Sequence, residues 1–309
     1  MKRRNEWFFP RGALTRDRWE SVVDSHLPGW THTGLRIAEL SGDAEGDGAL
    51  TLGPDAVERL IVPLAGSFTV IHDGGSTELA GRPSVFAGPT DTLYLATGTA
   101  ASILGRGRVA VAEAPATVAH PTRHIRREEV PVELRGAGRS SRQVHNFGTP
   151  QTLSADRFIV CEVITPADNW SSYPPHKHDS HSPTESRLEE IYYFESALSR
   201  TVAPGLAPRD SDAIGYLRTY SSEAGDIDTL AEVRTGDIGL VPYGWHGPCV
   251  AAPGYDLYYL NVMAGPDPER AWNISDDPAH GWVRATWEGQ DIDPRLPYLS
   301  PTDRSGEHR

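Results

Sequence analysis

Hydrophobic positions along the chain come in short bursts rather than long stripes. The runs "ERLIVPLAGSFTVIHDG", "SVFAGPTDTLYLATG", "GRVAVAEAPA", "RFIVCEVITP", "DIGLVPYG" and "YDLYYLNVMAG" are rich in Val, Ile, Leu, Thr and Tyr, and Gly and Pro punctuate them. Many short runs of this kind at close spacing predict an all-β sandwich or barrel. Helical periodicity is weak. Two segments carry it: the stretch after Arg16, and "DDPAHGWVRATW", where Asp276 or Asp277 is placed to cap a helix opening at Pro278.

The pattern also repeats faintly. Leu60 to Pro89 reads as a strand, a glycine turn, another strand and then "GRPSVFAGP"; Glu190 to Pro248 reads as a strand, a long excursion and then "RTGDIGLVPYGWHGP". Two similar β-barrels are therefore expected, over residues 1–125 and 126–309, with the charged connector "RHIRREEVPVE" between them. Only the second has a histidine, His246, at its closing turn, so only the second is expected to carry chemistry.

Composition narrows the field. A chain of 309 residues is long enough for two domains, and 38% hydrophobic with 23% charged residues reads as globular. A net charge of -13 argues against nucleic acid or an anionic membrane as partner. The opening "MKRRNEWFFPRG" has no long apolar run before Pro10, and no window approaches a membrane span, so neither a signal peptide nor a span is expected. Cys161 and Cys249 lie far apart without a CxxC arrangement, which points to reduced thiols in the cytoplasm.

The chemistry concentrates in "YPPHKHDSHSPTESRLEEIYYF", Tyr173 to Phe194. His176 and His178 are two apart, so a strand projects both imidazoles from one face and turns Lys177 away. Glu190 opens the strand "EIYYF" and shares a face with Tyr192 and Phe194, while Glu189 points the other way. His246 follows a Pro-x-Gly turn that aims it back toward the others. Three imidazoles and a carboxylate suit one divalent ion among Mn, Fe, Co, Ni and Zn. His181, in the intervening loop, reads as solvated. The ensemble resembles the two-part cupin signature H-x-H…E…G and G…P-x-G-x-H, with a longer loop between His178 and Glu190.

A closer resemblance covers nearly the whole chain. "NWSSYPPHKHD", "LEEIYYF", "VELRGAGRSSRQVHNFGTP", "VPYGWHGP", "APGYDLYYLNVMAGP" and "DDPAHGWVRATW", together with "LAGSFTV" and "GRPSVFAGPTDTLYLATG", are similar to the 5-deoxy-glucuronate isomerase family of myo-inositol catabolism. That resemblance implies a bicupin that interconverts 5-deoxy-D-glucuronate and 5-dehydro-2-deoxy-D-gluconate. It places the metal on His176, His178, Glu190 and His246, with Glu189 the alternative to Glu190. The chemistry needs a Lewis acid on the oxygens and a base to shuttle the C2 proton, unless a hydride shifts directly. Glu189, Asp179, His145 and a metal-bound hydroxide are the candidate bases. Arg142 and Arg187 are candidates for gripping the substrate carboxylate, and Tyr192 and Tyr259 for touching sugar hydroxyls. Arg187 would then ride on a flap, "DSHSPTESR". Trp272, Trp282 and Trp287 are expected to anchor a tail. Another metal-dependent uronate isomerase, a cupin dioxygenase and a non-catalytic sugar-binding bicupin are the competing readings. A homo-oligomer is expected, since open sheet edges need cover.

Overall fold

A computed structural model describes residues 4–42, 48–208 and 210–299; residues 1–3 and 300–309, the ends of the two expected units, lie outside it. The regular structure of the described residues is β-strand, with short 3-10 turns. An N-terminal sheet runs Ser21–Val23, Gly34–Ser41, Ala101–Pro115, Val57–His72, Thr92–Leu95, Arg123–Ile125. The following half builds a seven-stranded sheet in the order Val132–Arg135, Arg142–His145, Ile159–Thr165, Tyr255–Ala264, Glu189–Leu198, Ile238–Val241, Phe8–Phe9. A further sheet, centred on Trp245–Ala251, packs against it and carries His176–Lys177 and, at its end, Ser275–Asp276.

Alternation along the strands distributes the core. On Glu189–Leu198, Ile191 and Tyr193 join the apolar cluster shared with the N-terminal sheet, alongside Leu60, Val62 and Ala112. Tyr192 and Phe194 enter a different cluster, with Leu217, Cys249 and Tyr259. A period of two produces this division, and each fully buried side chain contributes about 1.5–3 kcal/mol. Tyr94 of the N-terminal sheet packs edge-on against Phe158 of the other half, with ring centroids 5.9 Å apart. The 16-residue strand Val57–His72 bends by a register shift between Pro63 and Ala65. At Gly66 (φ 91°) any side chain would drive its Cβ to 1.9 Å from the Arg106 carbonyl oxygen, so glycine is required there.

The structure corrects three expectations. After Arg16 the chain forms a bridge to Trp19 and then the strand Ser21–Val23, not a helix. Val22 and Val23 are buried in different clusters on opposite faces, which a strand permits and a one-sided helix does not. The C-terminal helix is a 3-10 helix over Gly281–Trp287 whose N-cap is His280, although Asp277 Oδ1 does accept the Ala279 amide at 2.8 Å. Nor is 1–125 a closed unit: Phe8–Phe9 belongs to the seven-stranded sheet, paired with Ile238 and Gly239. No described helix is long and apolar enough to cross a membrane.

Candidate metal centre and its cavity

His176 and His246 are register partners on adjacent strands, and His178 lies one residue beyond Lys177. Their rings gather round one point, with centroids 4.4 Å (His176–His246), 4.6 Å (His178–His246) and 6.2 Å (His176–His178) apart. One ring nitrogen from each lies within 4.8 Å of the others. Glu190 reaches them from the seven-stranded sheet, its Oε2 3.1 Å from His178 Nε2 and 3.2 Å from His246 Nε2.

The tautomers decide what this cluster can hold. His178 Nδ1 lies 2.9 Å from the Leu188 carbonyl oxygen and His246 Nδ1 3.0 Å from that of Gly244. A carbonyl only accepts, so both Nδ1 atoms carry protons and both Nε2 atoms face the carboxylate. His246 Nε2 is buried and makes no aligned hydrogen bond among the described residues, despite being within ion-pair reach of Glu190. Two Nε2 atoms directed at one carboxylate oxygen, each ring oriented by a carbonyl behind it, form a donor set that fits a divalent cation. Burial opposes charge on every group here. For His176 it prevails, aided by His246 and His178, and the pKa falls well below the ordinary value. For His178 the Glu190 carboxylate outweighs burial and raises the pKa. Burial would raise Glu190 too, but the two imidazoles bring it down to about 2.

A cavity of about 400 Å³ opens beside the cluster, lined by His176 and Glu190 at one side. Arg142 also lines it. Its Nη1 donates to the Ser140 carbonyl at 2.9 Å, its guanidinium lies over Trp287 at 5.5 Å, and among the described residues no carboxylate pairs with it. Burial, joined by the neighbouring Arg135 and Arg284, lowers its pKa to about 10. Tyr192 and Tyr259 line the same space, and burial pushes both phenols upward, so they remain protonated donors.

Other expected residues stand elsewhere. Glu189 points to the opposite side of its strand and accepts the backbone amides of Thr31, His32 and Thr33. Asp179 is the ion partner of Lys177 at 2.6 Å and accepts the Gly244 amide at 2.9 Å. It thus steadies the turn that carries His246. At Gly244 (φ 98°) a Cβ would meet the Tyr220 carbonyl oxygen at 2.7 Å. His145 is fully buried between the halves, its Nδ1 2.5 Å from Glu162 Oε1. None of these three candidate bases lines the cavity. Arg187 pairs with Asp267, at 2.9 and 2.6 Å, and the hairpin Asp179–Ser182/Glu185–Arg187 does not bring it to the lining of this cavity. His181 is exposed, as expected, beside Asp267. Trp282 is exposed, while Trp272 lines the cavity with its buried Nε1 lacking an acceptor among the described residues.

Sequence reasoning missed Arg135, Asp276 and Arg284, all of which line the cavity. Arg135 is the register partner of Arg142 across a hairpin, a pairing that the "GAG" turn between them could have signalled. Asp276 is the register partner of His176 and binds Arg284. Its signal is absent from local sequence.

Known proteins resemble the chain in sequence and in fold. The family model described as KduI/IolB matches residues 8–283. A 5-deoxy-glucuronate isomerase of Lacticaseibacillus casei is 37% identical over 257 residues, covering 82% of this chain and 88% of its own. The crystal structure of an IolB-like protein from Salmonella typhimurium LT2 superposes with a TM-score of 0.78 at 31% identity, covering 90% of this chain and 99% of that one. A Bacillus subtilis oxalate decarboxylase variant, at 12% identity and a TM-score of 0.56, covers 88% of this chain and 79% of its own and shares the fold alone.

Proposed function

The chain belongs to the KduI/IolB family, and on that premise we propose that it is a 5-deoxy-glucuronate isomerase of inositol catabolism. It would convert 5-deoxy-D-glucuronate to 5-dehydro-2-deoxy-D-gluconate. The observation that carries this reading is a single cavity with a metal-competent cluster on one side and an unpaired guanidinium, Arg142, on another. We read the two halves as tandem cupin barrels, of which only the C-terminal one holds a metal. His176, His178, His246 and Glu190 would be its ligands.

A divalent transition ion there supplies a Lewis acid for the substrate's carbonyl and hydroxyl oxygens. Arg142 binds the far carboxylate through its planar fork and so fixes which end of the sugar meets the ligands. Tyr192 and Tyr259 donate to sugar oxygens. Proton transfer from C2 to C1 falls to Asp276, the cavity carboxylate not engaged with the histidines, with Arg284 holding its orientation. A hydride shift is the other route. The edge strand Val132–Arg135, which exposes Val132 and Leu134, supports a homo-oligomer. The buried thiols Cys161 and Cys249 suit a cytoplasmic setting.

The test is turnover of 5-deoxy-D-glucuronate by protein that has been stripped by chelation and then reloaded with Mn²⁺ or Zn²⁺. Activity should vanish on stripping, return on reloading, and be absent in His176→Ala. Turnover that survives both chelation and this substitution would sink the metal mechanism. In D₂O, proton transfer puts solvent deuterium on the product's hydroxymethyl carbon (C6, the substrate's C1) and Asp276→Asn stops turnover; deuterium-free product from an Asp276→Asn variant that still turns over assigns the hydride route.

A further inference from the structure

Two carboxylates, one in each half, reach across the boundary in the same way. Glu58 accepts the amides of Asp156 (2.7 Å), Arg157 (2.7 Å) and Phe158 (2.9 Å) and the hydroxyl of Tyr94 (2.9 Å). Glu189 accepts the amides of Thr31 (3.2 Å), His32 (2.5 Å) and Thr33 (2.6 Å) and the Thr33 hydroxyl (3.0 Å). The gripped segments correspond as well. Thr31–Thr33 leads into the strand Gly34–Ser41, and Asp156–Phe158 into Ile159–Thr165, strands with the same place in the two sheet orders.

The two clamps differ in the residue that comes next in the chain. After Glu58 it is Arg59; after Glu189 it is Glu190, whose carboxylate faces His178 and His246. We propose that Glu189 is a positioning residue for the metal centre. Through it, Thr31–Thr33 of the N-terminal half fixes the backbone that aims Glu190. This inference rests on the metal-centre reading above. A carboxylate held by three consecutive amides cannot shift without breaking several charge-assisted hydrogen bonds at once. Glu189 and Glu190 share a planar peptide unit, so the backbone freedom of one constrains the other. The N-terminal half, with no ligand of its own, thereby takes part in holding the ion.

Glu58 provides the internal control, because its clamp is built alike but adjoins no ligand. The experiment is calorimetric titration of the full-length, metal-stripped protein with Mn²⁺, alongside thermal melts, for wild type, Glu189→Gln, Glu58→Gln, Thr33→Val and His246→Ala. Both Gln variants should lower Tm. Glu189→Gln should weaken Mn²⁺ binding by about 10–100-fold, the range for lost outer-shell support. Thr33→Val, which loses one hydrogen bond to the clamp, should weaken it by about threefold. Glu58→Gln should stay within about twofold of wild type, by the same reasoning. An equal loss in both Gln variants, or none in Glu189→Gln, overturns the proposal. Should Glu189→Gln fail to fold, Thr33→Val decides, and unchanged affinity there overturns it. If wild type binds no Mn²⁺, or His246→Ala binds as tightly as wild type, the metal-centre reading fails and the proposal falls with it.

Discussion

Arg59 and Glu190 occupy the same place in two sheets of matching strand order. Arg59 pairs with Glu113 on one side and Leu95 on the other; Glu190 pairs with Met263 and Val241. Yet the two interiors are opposites. Arg59 is buried with every nitrogen engaged: it donates to Glu113 (2.8 Å), Asp55 (2.7 Å) and the carbonyls of Gly53 (2.8 Å) and Thr99 (3.0 Å). Around Glu190, one imidazole nitrogen has no aligned partner, and the adjoining cavity holds an unpaired guanidinium. The same scaffold becomes structure where a buried charge such as Arg59 is answered by its own half, and can become a site where polar groups are left for a ligand.

That contrast can be attacked from both sides. The largest effect is expected at the proposed ligand set: His246→Ala should abolish stoichiometric metal and lower kcat/KM by roughly a thousandfold or more, the loss of several kcal/mol of Lewis-acid stabilisation. Metal content by mass spectrometry and a steady-state assay would show it. Next, Arg142→Ala should lower kcat/KM by about 10²–10³ and Arg142→Lys should recover little, since the fork and not the charge alone is needed. In the N-terminal half the order of effects inverts. Arg59→Met should cost about 3 kcal/mol in urea unfolding by leaving Glu113 with only Arg36, while turnover per folded enzyme is unchanged. A loss of turnover there would erase the distinction between the halves.

A smaller test concerns the seam. Glu162 is fully buried, and although burial would raise its pKa, Arg82 and then His145 hold it at about 2. A folded-state pKa below the unfolded one adds stability that is present above about pH 4.5 and lost as pH falls toward 2, on the order of 3 kcal/mol. Acid unfolding of Glu162→Gln should show a flatter pH dependence over that window. The smallest effect is expected for Arg187→Ala, whose half-exposed pair with Asp267 is worth under about 1 kcal/mol. Its activity should stay within about twofold of wild type, as surface substitutions do; a large loss would restore the flap.

The parts of this picture legible in the sequence are those governed by local period. Alternation placed Tyr192 and Phe194 on the face of Glu190 and turned Glu189 away, and the P-x-G-x-H turn did bring His246 to His176. What misled was nearness along the chain. Asp179 is the immediate neighbour of His178, yet it faces Lys177 and Gly244. His145 is three residues from Arg142, but the strand turns it into the seam, where Gln143, Glu162 and the Arg82 guanidinium close a hydrogen-bonded set. Asp276 and Arg284 were invisible because their place depends on a two-residue strand meeting His176 from a hundred residues away. No window of sequence encodes that meeting.

The strand Phe8–Phe9 has a consequence for biogenesis. Its partner, Ile238–Val241, is synthesised about 230 residues later. Trp7 and Arg11 extend the same attachment, through the Leu240 amide at 2.8 Å and Asp237 Oδ1 at 2.9 Å. Phe8–Phe9 must therefore wait for those residues before it docks, which favours late closure over half-by-half completion. A substitution that weakens this pairing would interfere with that closure and leave Ile238–Val241 as an open edge, inviting intermolecular pairing during expression.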